Sequence, residues 1–141
     1  MKVLFICTAN SCRSQMAEAW ARHLFPADWS VSSAGLLTYR ITTNTREAMA
    51  AVGLDMAGQE PKTIDRFKLD TFDLVVTLSE EAGRFLPQLP DPARHVHRPV
   101  DDPMGAKGSP EEVTAAFTRG RDLIQAIVAD VVAGRICPGS S

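Results

Sequence analysis

A cysteine and an arginine lie six residues apart near the start of the chain, at Cys7 and Arg13. A thiolate is a nucleophile, and a guanidinium is a planar fork that can hold two oxygens of one anion. Ser14 could donate its hydroxyl to the sulfur, and Asn10 tolerates the left-handed backbone of a tight loop. These residue types predict nucleophilic chemistry on a bound tetrahedral oxyanion.

The flanking residues predict a strand before this stretch and a helix after it. Val3–Ile6 is an apolar run typical of a buried strand, and Met16, Trp20 and Leu24 have the spacing of an amphipathic helix from Ser14 to about Phe25. In such a unit the loop amides and the helix dipole attract an anion and favour a thiolate over a thiol. The predicted oxyanion-binding residues are Thr8, Ala9, Asn10, Ser11, Cys12, Arg13 and Ser14.

The spacing alone has an ordinary alternative, in which Cys7 is a buried residue that ends a strand and Arg13 is a solvated residue at the start of a helix. The strand, the helix and Ser14 together meet the requirements of an anion site. We therefore interpret the stretch as a functional loop.

The rest of the chain alternates predicted strands with predicted helices. The predicted strands are 29–34, 72–78 and 96–98, and the predicted helices are 42–52, 79–87 and 109–133, with a short helix proposed at 63–69. This alternation predicts an α/β three-layer sandwich with a central, mostly parallel four-stranded sheet. Cys7, Ser79 and the loop after Arg98 would then share the carboxyl edge of the sheet, where ligands bind.

Composition limits the class of protein. The 141 residues are 45% hydrophobic, which suits one domain over 1–141, and the net charge of −2 favours neither nucleic acid nor membrane partners. The run of apolar residues before Cys7 is too short for a signal peptide or a membrane span, so we expect a cytoplasmic protein. We also expect it to be a monomer.

The cysteines and histidines show no metal-binding pattern. Cys7 and Cys12 do not form a CxxC pair, and Cys137 is far away in sequence. His95 and His97 are interpreted as two residues on one face of a strand or loop. We expect no metal site and no disulfide framework.

The residues from Cys7 to Glu18 read CTANSCRSQMAE and resemble the phosphate-binding loop of the low-molecular-weight protein tyrosine phosphatase family, more specifically its arsenate reductase branch. The similarity extends to nearly the whole chain. Its other segments are Ser33–Gly35, Leu74–Leu78, Asp101–Pro103 and Arg121–Asp122. The resemblance implies the fold of this family and an enzyme with a cysteine nucleophile.

The resemblance also implies roles for individual residues. Cys7 is the expected nucleophile, Arg13 the oxyanion clamp and Asp102 the general acid, with Asn10 and Ser14 as supports of the loop. A leaving oxygen needs a proton, and an aspartate on a loop at the same sheet edge can supply it. Asp101 is the rival for this role, and the acidic run before Pro103 could also be an ordinary turn.

One departure concerns the redox cysteines. Thioredoxin-coupled arsenate reductases resemble this chain but place a second cysteine directly after the Val-Val-Thr-Leu strand and a third several residues later. Here the first position is Ser79, and no cysteine lies between Ser79 and Pro90. A second thiol would have to come from Cys12, from Cys137 or from an external thiol such as glutathione with glutaredoxin, or thioredoxin, and we favour the external one. A Cys7–Cys12 disulfide would protect the nucleophile reversibly.

Other departures concern the cleft and the loop. Met104 follows the Asp-Pro pair, where phosphotyrosine enzymes of the family usually have an aromatic residue, and Tyr39 is the only tyrosine. Ala9 replaces the usual glycine, which puts a positive φ there in doubt. Lys62 replaces an aspartate that helps some arsenate reductases bind potassium. It is either a solvated loop lysine or an ammonium in the place of the cation, near Glu18 and Ser33.

These observations lead to three hypotheses. The leading one is an arsenate reductase-like enzyme in which Cys7 attacks arsenate and an external thiol completes the reduction to arsenite. The second is a phosphatase that hydrolyses phosphotyrosine or small phosphate monoesters through a phosphocysteine. The third is a non-catalytic oxyanion-binding or redox-sensing module in which Cys7 and Cys12 cycle between thiol and disulfide.

Overall fold

A four-stranded sheet forms the centre of the molecule, and all its strand pairs are parallel. The computed structural model describes residues 1–136, so Cys137 lies outside the described residues. The strands are β1 (Lys2–Cys7), β2 (Ser30–Gly35), β3 (Leu74–Thr77) and β4 (His95–His97). Their order across the sheet is β2-β1-β3-β4, which confirms the predicted α/β architecture.

Helices cover both faces of this sheet. They are α1 (Arg13–Leu24), α2 (Thr43–Ala50), α3 (Glu80–Phe85) and α4 (Pro110–Val132). Because successive side chains of a strand point to opposite faces, Val3 and Phe5 pack with α1 and α4, whereas Leu4 and Ile6 pack in a second cluster with α3. No helix among residues 1–136 is long and apolar enough to span a bilayer.

The start of α4 follows the signals in the sequence. Ser109 Oγ accepts a hydrogen bond from the Glu112 N–H, and the Glu112 side chain accepts one from the Ser109 N–H, so a capping box forms ahead of Pro110. The helix buries Phe117 and Ile124, with Val128 and Val131 continuing the same face. The prediction of this helix is confirmed.

One local prediction was wrong, and one predicted loop contains a short turn. The helix proposed at 63–69 is instead two 3-10 turns, Ile64–Arg66 and Leu69–Thr71, because the segment is too short to repay helix nucleation. The segment 99–108, predicted as a plain loop, contains a 3-10 turn at Pro103–Gly105.

His95 and His97 lie on one face of the edge strand β4, as predicted. His95 Nε2 is 2.9 Å and His97 Nδ1 is 2.7 Å from the Thr77 hydroxyl oxygen. Burial, together with the neighbouring His97, lowers the pKa of His95. Among the described residues, no three side chains of the metal-binding types lie close enough together to hold a metal ion.

Gly35 lets the end of β2 pass very close to the loop after β1. A Cβ at Gly35 would lie 2.5 Å from the Leu37 carbonyl oxygen, 2.6 Å from the Asn10 nitrogen and 2.8 Å from the Ala9 carbonyl carbon. All three atoms belong to the backbone, so no side-chain rotation could relieve the contact. The small size of glycine is therefore required here.

We expect Gly35→Ala to lower the free energy of unfolding by about 1–3 kcal/mol, because the added methyl group overpacks the backbone of the loop. Urea titration followed by circular dichroism measures this change. Gly105→Ala is the matched control, since a Cβ at Gly105 would meet nothing within 4 Å. Equal stability of the two variants would contradict the close contact described for Gly35.

Candidate active site

The loop of residues 8–12 joins β1 to α1 and has its peptide groups oriented in one direction. The carbonyls of residues 7, 8 and 9 accept hydrogen bonds from the N–H groups of Leu36, Leu37 and Tyr39, at 3.3, 3.0 and 3.0 Å. Because a trans peptide is planar, the N–H groups of residues 8–10 point the opposite way. Within residues 1–136, no N–H of residues 8–12 donates a hydrogen bond to another group. The loop therefore presents free donors on its inner side.

Asn10 holds the loop in its turn. It is the one non-glycine residue of the described chain with a positive φ, at 48°, while Ala9 does not have one, so the alanine causes no strain there. The Asn10 side-chain oxygen accepts from Gln15 Nε2 at 2.9 Å and from the Lys62 N–H at 2.8 Å. Its Nδ2 donates to Ser14 Oγ at 2.7 Å. Asn10 thus makes three side-chain hydrogen bonds, which fit its predicted role as a support of the loop.

Cys7 lies at the end of β1 beside Ser14. The Cys7 sulfur is 2.9 Å from Ser14 Oγ, and both residues are buried. Since Ser14 Oγ already accepts from Asn10 Nδ2, its own hydrogen is free to be donated to the sulfur. A thiolate at Cys7 would be stabilised by this bond.

Arg13 begins α1 and reaches back over the same loop. Its Nη1 donates to the Val100 carbonyl at 2.8 Å, and its Nη2 lies 3.6 Å from Asp102 Oδ2. Its Nε is buried and has no hydrogen-bond partner within residues 1–136. Because an unpaired buried donor is costly, an anion that accepts from Nε would be bound favourably here.

Asp102, rather than Asp101, makes the ion pair with Arg13 among the described residues. Its Oδ1 accepts from the Met104 N–H at 3.0 Å and so caps the turn Pro103–Gly105, while Oδ2 faces the guanidinium. Its side chain is 47% exposed, so it can exchange protons with water. The geometry favours Asp102 over its neighbour as a proton donor at this site.

Ser79 lies next to the loop at the carboxyl edge of the sheet. The Thr8 hydroxyl oxygen is 3.1 Å from both Ser79 Oγ and Glu81 Oε2. Ser79 Oγ also accepts from the Ala82 N–H at 3.1 Å and caps α3. A hydrogen bond from its own backbone, and a second one from Thr8, lower the pKa of Glu81.

Cys12 is a buried thiol on the helix side of the loop. Burial raises the pKa of Cys12 to about 12, the nearby Cys7 and Asp102 add to this, and a hydrogen bond with Thr45 opposes it. Cys12 is thus a poor nucleophile at neutral pH. Its predicted redox role would need the loop to expose it.

Two glutamines support the loop although the sequence analysis did not single them out. Gln59 Nε2 donates to the Gln15 side-chain oxygen at 2.8 Å and to the Gln15 carbonyl at 3.1 Å, and Gln15 Nε2 in turn donates to Asn10. Gln15 is a polar residue at a buried position of α1, and this pattern could have identified it. Gln59 is in an irregular segment that carried no such signal.

Lys62 lies at a buried carboxylate rather than in open solvent. Glu18 Oε1 accepts from Ser33 Oγ at 2.6 Å and lies 3.8 Å from the Lys62 ammonium, while Arg22 donates to Glu18 Oε2 at 2.7 and 3.0 Å. The Lys62 side chain is 16% exposed. Of the two interpretations made from the sequence, this arrangement favours an ammonium close to Glu18 and Ser33.

Most of the chain matches a known family. A model of the family described as low molecular weight phosphotyrosine protein phosphatase matches residues 2–133. The chain belongs to this family.

Within the low molecular weight phosphatase family, several relatives are arsenate reductases. Those of Halalkalibacterium halodurans and Bacillus subtilis are each 43% identical to this chain over 122 residues, which cover 86% of this chain and 88% of each relative. A solved arsenate reductase in the phosphate-binding state has a TM-score of 0.79 at 30% identity, covering 94% of this chain and 97% of the other. A low molecular weight protein tyrosine phosphatase from T. tengcongensis shares the fold, with a TM-score of 0.78 at 22% identity, covering 95% of this chain and 99% of the other.

We expect iodoacetamide to alkylate Cys7 but not Cys12 in the folded protein. The pKa of Cys12 is raised to about 12, so its thiolate is scarce at pH 8, whereas the Cys7 sulfur lies beside the Ser14 hydroxyl, which can donate to a thiolate. Peptide mass spectrometry after a short reaction at pH 8 measures each cysteine separately, and Cys137 is followed in the same digest.

The control for Cys12 is the same reaction in urea, where all three cysteines should be modified. Modification of Cys12 in the folded protein at a rate similar to that of Cys7 would contradict its description as a buried, neutral thiol.

Proposed function

We propose that this member of the family is an arsenate reductase in which Cys7 is the nucleophile. The observation that supports it most is the set of unpaired donors on the loop that follows Cys7: the inward N–H groups of residues 8–10, the unpaired N–H groups of residues 11 and 12, and Arg13 Nε. Such donors suit a tetrahedral oxyanion. The relatives that are 43% identical are arsenate reductases, which favours arsenate as the oxyanion.

In the proposed first step the Cys7 sulfur attacks arsenic and forms a sulfur–arsenic bond. The loop amides and Arg13 hold the negative oxygens, and Asp102 gives a proton to the departing oxygen, which leaves as water. Ser14 donates to the sulfur before the attack. Arsenic remains pentavalent in this adduct, so no electrons have yet been transferred.

Reduction needs a second thiol. Its thiolate attacks the Cys7 sulfur and forms a disulfide, while the electron pair of the sulfur–arsenic bond stays with arsenic and releases it as arsenite. The two sulfurs together lose two electrons. A further thiol then reduces the disulfide and restores Cys7.

We propose that this second thiol is external, from glutathione with glutaredoxin or from thioredoxin. Ser79, which touches the loop through Thr8, has no sulfur to offer. Burial raises the pKa of Cys12 to about 12, so this cysteine is a poor source of the second thiolate. A reducing compartment suits this chemistry, so we propose that the enzyme is cytoplasmic. We also propose that it is a monomer with one domain over 1–141.

Phosphate monoester hydrolysis is the second candidate, and one feature of the surface favours it. Leu37 and Tyr39 are 54% and 44% exposed, and their N–H groups bind the outer side of the loop. Two exposed apolar side chains beside an oxyanion site could contact an aryl leaving group. Cys7 would then form a phosphocysteine that water hydrolyses.

We expect the wild-type protein to reduce arsenate in the presence of glutathione and glutaredoxin, or of thioredoxin and its reductase. Cys7→Ser should abolish the reaction, and Arg13→Lys should lower kcat/KM about 100-fold, because an ammonium cannot replace the planar fork. The consumption of NADPH and the arsenite formed are both measured. Arg119→Lys, on the exposed side of α4, is the matched control.

The same samples are assayed for release of phosphate from aryl phosphates. Brisk release of phosphate without arsenate turnover in either thiol system would overturn the first candidate in favour of the second. Activity that survives in Cys7→Ser would show that another group is the nucleophile.

We expect Cys137→Ser to reduce arsenate at the wild-type rate, because an external thiol resolves the adduct. The arsenite formed per minute is compared at several concentrations of the external thiol. A selective loss of arsenate reduction, with aryl phosphate hydrolysis unchanged, would instead make Cys137 the resolving thiol.

A further inference from the structure

Asp102 lies in a short segment that is held at its first end by Val100. The Val100 N–H donates to the Leu78 carbonyl at 3.0 Å, at the end of β3. The Val100 carbonyl accepts from Arg13 Nη1 at 2.8 Å. The segment that carries the aspartate is thus attached both to the sheet and to the arginine of the anion loop.

The second end of the segment is held by Pro103. This residue is buried and begins the turn Pro103–Gly105, which Asp102 caps through the Met104 N–H. Pro103 packs against α4 at Gly120, which is also buried. A Cβ at Gly120 would lie 2.7 Å from Pro103 Cγ.

That distance is too short for two carbon atoms that are not bonded. The ring of proline is rigid and cannot rotate away, so a methyl group at Gly120 would push the whole turn. Beside this contact lies an open cavity of about 650 Å³, lined by Asp102, Pro103 and Leu123 among others, and the turn could move into it. Asp102 would move with the turn that it caps.

A glycine in the middle of a 23-residue helix needs an explanation, since alanine stabilises a helix better. Gly120 does not have a positive φ, so the reason is space and not backbone freedom. The space is occupied by the Pro103 ring.

We propose that Gly120 is a positioning residue, which seats Pro103 on α4 and thereby holds the Asp102 carboxyl beside Arg13, where it can protonate the departing oxygen. This inference rests on the proposed function, in which Asp102 is the general acid. Gly120 itself touches neither the substrate nor the reacting atoms.

The test is Gly120→Ala in the full-length chain. We expect kcat for arsenate reduction to fall about 10- to 100-fold, part of what a general acid contributes. The melting temperature should fall by only a few degrees, because the gain of about 1 kcal/mol in helix propensity offsets part of the cost of overpacking. The rate of Cys7 alkylation across pH and the affinity for inorganic phosphate should stay at their wild-type values, since the anion loop is not pushed.

Aryl phosphates give a readout that a merely structural role would not change. 4-Nitrophenolate leaves without a proton, whereas phenolate needs one. In Gly120→Ala the kcat for phenyl phosphate should therefore fall at least 5-fold more than that for 4-nitrophenyl phosphate, by our order-of-magnitude expectation for loss of acid assistance.

A second substitution tests the contact itself. Pro103→Ala removes the Cγ atom that the new methyl group meets, so the double variant should regain several-fold in kcat over Gly120→Ala alone. Gly105→Ala, in the same turn but with nothing within 4 Å of a Cβ, is the matched control and should behave as the wild type.

Two failures can be told apart. Wild-type protein that neither reduces arsenate nor hydrolyses aryl phosphates overturns the proposed function and this inference with it. An active wild type with an unchanged kcat in Gly120→Ala overturns the inference alone. Parallel losses in kcat, phosphate affinity and melting temperature, or no recovery in the double variant, would also overturn it.

Discussion

The orientation of three peptide groups determines what the site can bind. The carbonyls of residues 7–9 are turned outward to the N–H groups that follow β2, and this alone turns the next three N–H groups inward. The arrangement depends on the parallel pairing of Cys7 with Gly35, and on the close approach that only a glycine permits. The anion loop is therefore an extension of the β1–β2 pairing beyond the ends of the two strands.

Two separate sets of contacts then complete the loop. On one side a buried chain of amides runs from Gln59 through Gln15 to Asn10 and ends at the Ser14 hydroxyl beside the Cys7 sulfur. These groups are neutral, so they fix geometry without adding charge. The other side is charged, where Arg13 joins the loop to the segment after β4.

Cys7 and Cys12 show how strongly the surroundings of a thiol affect its expected reactivity. Cys7 ends a strand and faces a hydroxyl that can donate to it, whereas Cys12 is surrounded by the core and keeps its proton. Only four residues of sequence separate them. Burial of Cys12 outweighs the hydrogen bond with Thr45 and the nearby Arg13, so its pKa stays high and it is a poor nucleophile.

Local signals in the sequence predicted the elements that define the fold and the position of the anion loop. The apolar run of β1, the alternation of strands with helices and the cap at Ser109 each depend on neighbouring residues, and the structure confirms them. The geometry that favours Asp102 over Asp101 depends on the position of Arg13, which the sequence alone does not give. Contacts such as Gln59 with Gln15, or Pro103 with Gly120, join residues far apart in the chain, and one sequence contains no signal for them.

Ser79 connects the stability of α3 with the absence of a thiol at this position beside the loop. Its oxygen caps α3, a contribution typically worth about 1 kcal/mol, and lies against Thr8 of the loop. Sulfur is a much weaker hydrogen-bond acceptor, so a cysteine here would weaken the first turn of that helix while it gained a thiol. Oxygen at residue 79 therefore stabilises a six-residue helix, whereas sulfur there would instead supply a second thiol beside the loop. Under the proposed function, oxygen in that place makes the rate of the enzyme depend on the thiols of its surroundings.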